Sequence, residues 1–214
     1  MSASPAKVHH PLFARFFDRL VAYAGSHGQN EHRAELLEGL EGSVIEVGAG
    51  NGANFPFYPA GVERVLAIEP EAFLRERAEA AAASVTAAVE VVDGNAEALP
   101  VGDGEFDAGV FSLVLCSVPN QAAALAEMHR VIRPGGELRF YEHVLADDPK
   151  IQRIQRTIEP VWKRGAGGCH LTRDTAAAIE AAGFELTDWR KLEFQPNALA
   201  APVALHILGR ARRT

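Results

Sequence analysis

Apolar positions recur along the chain with two different spacings, and the switch between them marks the elements. Phe13, Phe16, Phe17, Leu20 and Tyr23 fall three and four apart, which predicts an amphipathic helix carrying an aromatic stripe. After a polar stretch, residues 31–40 read as a second helix that stops near Gly42. From residue 43 the pattern changes to short β-branched runs at 43–47, 62–68, 89–92, 108–115 and 137–142. Between these runs, residues 72–83 are rich in Ala, Glu and Arg, and residues 121–132 keep helical spacing until Pro134-Gly135-Gly136 ends it. Strands alternating with helices predict βαβ units and an α/β fold, a doubly wound, mostly parallel seven-stranded sheet. Residues 173–182 add a helix stopped by Gly183. Residues 186–192 and 203–210 then predict an antiparallel C-terminal edge, with Pro196 and Pro202 confined to the connection.

No repeat or low-complexity tract divides the chain, so residues 1–214 are expected to form one domain. Its parts are an N-terminal helical cap (1–40), a core (43–145), a lid or substrate segment (146–172) and a C-terminal helix with edge strands (173–214). Lys and Arg number 21 against 28 Asp and Glu, a net charge of −7, and a surface that acidic disfavours nucleic acid. Two cysteines exclude a disulfide framework and suit a reducing, cytoplasmic setting. His9, His10, Arg15, Asp18 and Arg19 interrupt the first twenty residues, which therefore predict no export signal. The longest apolar run, 108–118, is too short to span a bilayer, so no stable membrane insertion is expected. Lys150, Arg153, Arg156, Lys163 and Arg164 lie beside Ile151, Ile154 and Ile158 at helical spacing. This segment reads first as a lid helix packed over a pocket, and second as a contact for an anionic membrane or substrate.

The candidate chemistry begins at Gly48-Ala-Gly-Asn-Gly52, which follows a strand. Glycines there let a ligand approach the backbone closely. The same residues fit a dinucleotide fingerprint, Gly48-x-Gly50-x-x-Ala53, with Glu69 following 21 residues after Gly48, so a nicotinamide oxidoreductase is one reading. Glu46 argues against it: a carboxylate two residues before the first glycine repels a pyrophosphate and suits a ligand carrying an ammonium group. A polar loop, Asp93-Gly-Asn-Ala-Glu-Ala-Leu-Pro100, follows the third strand, where it can read an adenine edge.

In this order and spacing the motifs resemble class I S-adenosylmethionine-dependent methyltransferases over residues 40–145. The resemblance implies S-adenosylmethionine as cofactor. It implies that Glu46 holds the methionine amino group through water, that Gly48, Gly50 and Gly52 line methionine and ribose, and that Glu69, followed by Pro70, accepts both ribose hydroxyls. Asn95 and Ala96 would contact adenine, and Ser112 and Leu113 would face the methionine end. Members often carry Asp where this chain has Asn95.

Phe13-Ala-Arg-Phe-Phe17, Val47 to Phe55, Leu113 to Gln121, Glu142-His-Val144 and Gly168-Cys-His-Leu-Thr-Arg173 further resemble the methyltransferase-like group that includes the alkyl-thiol S-methyltransferases. That resemblance covers nearly the whole chain and implies a small-molecule methyl acceptor, a thiol first, with O- or N-methylation of a small metabolite or a phospholipid amine as the alternative. A non-catalytic cofactor-binding protein is a further reading. The animal enzymes of the group carry an N-terminal membrane anchor, which the start of this chain does not predict. Cys116, His143, Trp162, Cys169 and His170 are the candidates for the acceptor pocket, with His143 and His170 as candidate base or orienting groups. Cys116 reads as a small pocket-lining residue, because direct methyl transfer needs no covalent enzyme intermediate. The spacing of Cys116, His143, Cys169 and His170 matches no usual zinc pattern, and no metal is expected. His9, His10, His27 and His32 read as surface or loop residues.

Overall fold

The computed structural model describes residues 11–214, with side chains from Asp18 onward apart from that of Leu199. The side chains of Phe13, Phe16 and Phe17 lie outside the described ones. In chain order the elements are α1 (Pro11–Ala24), α2 (Asn30–Leu37), β1 (Gly42–Val47), β2 (Val62–Ile68), α3 (Ala72–Ala82), β3 (Val89–Val92), β4 (Phe106–Ser112), α4 (Gln121–Val131), β5 (Ile132–His143), α5 (Pro149–Gly165), α6 (Thr175–Ala181), β6 (Phe184–Glu193) and β7 (Leu205–Arg213). The strands form one seven-stranded sheet in the order β3-β2-β1-β4-β5-β7-β6. The first five are parallel, while β7 runs antiparallel to both β5 and β6.

Both faces of this sheet are covered, so its central strands are apolar at successive positions. On one face Ile45, Phe111, Phe140 and Ile207 pack against Leu125 and Met128 of α4 and Ile179 of α6. On the other, Val44, Val65, Val110 and Tyr141 pack against Leu36 and Leu37 of α2 and Phe55. Each fully buried Leu or Phe contributes about 1.5–3 kcal/mol from area removed from water. Helix starts are set by side-chain acceptors: Glu71 caps α3 at Leu74 N, Asn120 caps α4 at Ala123 N, and Asp174 caps α6 at Ala177 N.

Four expectations need correction. The second helix ends at Leu37, because Glu38 takes extended dihedrals and Gly39, at φ +72°, turns the chain toward β1. The fourth strand ends at Ser112, three residues early, because Leu113 adopts φ +62°. The last two strands pair as expected, yet only β6 is an edge; β7 is inserted beside β5. Finally, Ile151 and Ile154 of α5 are exposed. What ties α5 down is buried Gln155, whose Oε1 accepts from Ala146 N at 2.9 Å and whose Nε2 donates to Pro202 O at 2.9 Å. No helix among the described residues is long and apolar enough to cross a membrane.

The strand order reverses direction between β1 and β4, so the chains leaving their carboxyl ends diverge and open a crevice. Every candidate residue expected to meet the cofactor leaves the sheet at this edge or on the neighbouring β2 and β3.

Candidate active site

The loop after β1 reverses sharply: Gly48, Gly50 and Gly52 have φ of +73°, +59° and +79°. Gly48 has a second reason to lack a side chain. A Cβ there would come within 2.5 Å of Val114, so glycine lets the loops after β1 and β4 meet across the crevice. From above, α1 reaches the loop through Asp18, whose Oδ1 accepts from Asn51 Nδ2 at 2.9 Å.

Two carboxylates flank this loop. Glu46, buried at the end of β1, accepts from Asn54 Nδ2 at 2.7 Å and from Tyr58 OH at 2.8 Å. Burial pushes its carboxyl up to about 7, against the pull of those two donors and of Arg33. Glu69, at the end of β2, accepts from Gly50 N at 2.8 Å and Glu71 N at 2.9 Å, and burial pushes it also to about 7. Each of its oxygens keeps a second lone pair for a ligand. Pro70 and Glu71 follow directly, and Arg75 of α3 folds back to donate to the carbonyls of both Glu69 and Pro70. Beyond β3, Asn95 turns its Oδ1 onto Glu97 N at 3.0 Å, and Ala96 is buried.

Arg33 of α2 completes this end. Its guanidinium donates to Asn54 Oδ1 at 2.7 Å, Ser112 Oγ at 3.3 Å and Gln29 Oε1 at 3.2 Å. It is buried, and among the described residues its Nε has no hydrogen-bond partner. A buried cation with a free N–H is an attractive neighbour for a ligand anion.

At the other side of the crevice, one anion sets the shape of the loop after β4. Glu142 of β5 is fully buried, and its carboxylate accepts from the amides of Val114 and Leu115 at 2.9 Å each and of Cys116 at 3.1 Å. Burial raises its carboxyl, while these three donors and His143 oppose the rise. Pulling three successive amides onto one point forces the backbone to turn, which accounts for the left-handed Leu113 just before them. Arg173 braces the loop from outside, donating to Leu115 O and, at 2.8 Å, to Val118 O.

Cys116 and Cys169 converge on one ring: His143 Nδ1 lies 3.5 Å from Cys116 Sγ and 3.8 Å from Cys169 Sγ. Hydrogen bonding from Cys116 and His143 lowers the Cys169 thiol, and the Cys116 thiol is correspondingly raised. Trp162 of α5 also lies against Cys169. His170 does not join them; its Nδ1 is 2.9 Å from Glu159 Oε1 on α5. Behind His143 stands His206, 4.5 Å away centroid to centroid and stacked on Tyr141. Its Nδ1 donates to Ala204 O, and burial lowers its basicity, so it is a neutral ring.

Residues 45–140 match the family model described as a methyltransferase domain. The thiol S-methyltransferase TMT1B of Homo sapiens is 39% identical over 218 residues, spanning 94% of this chain and 87% of that protein. Its counterpart from Rattus norvegicus is 39% identical over 180 residues, 80% and 70% of the two chains. The chain belongs to the S-adenosylmethionine-dependent methyltransferases. Solved structures agree in fold: a methyltransferase from Thermotoga maritima, described as a possible histamine N-methyltransferase, has a TM-score of 0.68 at 21% identity over 94% of this chain and 98% of its own. A geranyl diphosphate methyltransferase in complex with S-adenosylmethionine gives 0.67 at 14% identity over 88% and 85%. This methyltransferase thus uses S-adenosylmethionine, and its doubly wound sheet is the one its sequence predicts.

Sequence reasoning missed Arg33, Asn54, Tyr58, Glu142, Arg173 and His206. Glu142 carried a readable signal, since a carboxylate inside a strand flanked by Phe140 and Tyr141 needs buried donors. Arg33 and Arg173 carried little, because their bonds to the β4 side, at Ser112 and Leu115, span 79 and 58 residues.

Proposed function

We propose that this enzyme transfers the methyl group of S-adenosylmethionine to a small thiol. What carries the thiol reading is the identity to a thiol S-methyltransferase across 94% of the chain, a span that includes the acceptor-end segments as well as the cofactor loop. The donor set suits the cofactor. Glu46 favours the methionine ammonium through water, the unpartnered Arg33 Nε favours the methionine carboxylate, and the spare lone pairs of Glu69 suit two ribose hydroxyls. Gly48, Gly50 and Gly52 leave room beside methionine and ribose, Pro70, Asn95 and Ala96 border the adenine, and Ser112 and Leu113 border the methionine end. The free thiols of Cys116 and Cys169 support a cytoplasmic setting.

S-adenosylmethionine supplies an electrophilic methyl group on a sulfonium. The acceptor sulfur forms its bond to that carbon as the sulfonium bond breaks, leaving a neutral thioether, and the thiol proton passes to solvent. A thiol of ordinary pKa near 8.5 is already partly ionised at neutral pH, so the protein's task is alignment and exclusion of water. We assign orientation to His143, whose Nδ1 faces the two cysteines and leaves Nε2–H to meet the acceptor. His170, tied to Glu159, holds the lid rather than the acceptor. Cys116 and Trp162 line the pocket.

The test is release of S-adenosylhomocysteine from a panel of alkyl thiols, phenols and amines. Turnover is expected with thiols, and His143→Ala is expected to raise KM for the thiol about tenfold with a smaller change in kcat. Turnover confined to phenols or amines would overturn the acceptor assignment.

The two raised carboxyls make cofactor binding depend on pH. Ammonium and hydroxyl donors favour the ionised forms of Glu46 and Glu69, so the complex binds fewer protons than the free enzyme around pH 7. Affinity for S-adenosylhomocysteine is therefore expected to rise with pH through 7 and level off above it, by up to about tenfold per unit for each carboxyl. Isothermal titration at pH 6 and pH 8 measures this, and equal affinities would refute it.

A further inference from the structure

We propose that Cys116, His143 and Cys169 form a three-ligand site for a thiophilic divalent cation, zinc above all. The observation is geometric. Sγ of Cys116, Nδ1 of His143 and Sγ of Cys169 all lie within 4.8 Å of one another, with the sulfur-to-nitrogen separations at 3.5 and 3.8 Å. A tetrahedral zinc with Zn–S about 2.3 Å and Zn–N about 2.0 Å holds a sulfur and a nitrogen about 3.5 Å apart and two sulfurs about 3.8 Å apart. The two sulfur-to-nitrogen separations match such a tetrahedron, and the two sulfurs lie within 4.8 Å of each other.

The site is built from three separate pieces of chain, each fixed by other bonds. Cys116 is held by its amide on Glu142, while its carbonyl accepts from His170 N at 2.7 Å. His143 ends β5 in register with His206 of β7. Cys169 follows Gly168, where φ is +90° and a Cβ would come within 2.9 Å of Ser117 O, so the 166–170 loop is pressed against the loop that carries Cys116. Both cysteines are buried and free.

The surroundings suit two thiolates. Trp162 hydrogen-bonds to Cys169, where an N–H donor steadies a metal-bound sulfur. Arg173 adds a positive charge near both sulfurs. Two thiolates and a divalent cation sum to zero, which removes the penalty of burying either alone. Binding releases the protons on the two sulfurs to solvent while the ring keeps its proton on Nε2, with no change of oxidation state. Among the described residues no fourth side chain completes the set. Glu142 is committed to three amides and His170 to Glu159. Three protein ligands with an open fourth position are the pattern of zinc sites that exchange a ligand. The spacing along the chain hid it, because 27 residues separate Cys116 from His143 and 26 separate His143 from Cys169.

Cobalt(II) titration of untagged, reduced, chelator-stripped protein tests the site without any turnover assay. Saturation near one equivalent is expected, with sulfur-to-cobalt charge transfer in the near ultraviolet, tetrahedral ligand-field bands in the visible, and displacement of both by zinc. Cys116→Ser and Cys169→Ser are each expected to lose roughly half the charge-transfer intensity and about tenfold or more in affinity. His143→Ala is expected to weaken binding while retaining the charge transfer. Cooperative thermal unfolding identifies the variants that are folded. A folded wild-type protein without charge-transfer absorption at saturating cobalt overturns the proposal, as does a spectrum that both serine variants reproduce.

Discussion

Replacing Glu142 with alanine is expected to lower the unfolding free energy by about 3–5 kcal/mol, because three backbone amides lose their common acceptor. Three amides, those of Val114, Leu115 and Cys116, lose their acceptor, and those of Leu115 and Cys116 are buried. Each unsatisfied buried donor carries a penalty of about 1–3 kcal/mol, partly recovered if the loop opens to solvent. For a chain of this size the midpoint of thermal unfolding then falls by about 10 °C. Glu142→Gln should fall between wild type and alanine, since its one oxygen still accepts the Val114 and Leu115 amides while its NH₂ opposes that of Cys116. Thermal unfolding of the three proteins decides the matter, and an alanine variant within 2 °C of wild type would remove Glu142 from its proposed place under the loop.

The second large effect belongs to cofactor affinity. Glu69→Ala is expected to weaken S-adenosylhomocysteine by roughly 100-fold, about 2.7 kcal/mol. Two hydrogen bonds from ribose hydroxyls to a buried carboxylate account for that figure. The substitution also releases Gly50 N and Glu71 N, so part of the loss comes through the glycine loop. Glu69→Gln keeps the shape and one acceptor oxygen and should lose about tenfold. Isothermal titration against folded variants measures both, and a Kd for the alanine variant within threefold of wild type would separate Glu69 from the ribose.

The parts of this fold that could be read in the sequence are those fixed by near neighbours. The strand pattern, the glycine turn after β1 and the carboxylate that opens the turn after β2 depend on residues adjacent in the chain. Elements set by distant partners were harder to read. The end of β4 depends on Glu142, thirty residues beyond Ser112, and the inner position of β7 depends on the free edge of β5. The exposed stripe on α5 misled for a related reason: the helix is tied by the polar Gln155, a contact that apolar periodicity does not register. Cys116 and Cys169 were expected near the acceptor pocket, while their meeting at His143 required the 166–170 loop to cross over the β4 loop.

The order of strands also bears on how the chain is made. Because β7 separates β6 from β5, a nascent chain that has extruded β6 has nothing to pair it with. The sheet halts at β5, with Glu137–His143 bare along one edge, until the segment 205–213 leaves the ribosome. Until β7 is in place, the β5 edge that carries Phe140 and Tyr141 has no strand partner on that side, so closing the sheet waits for the last strand of the chain.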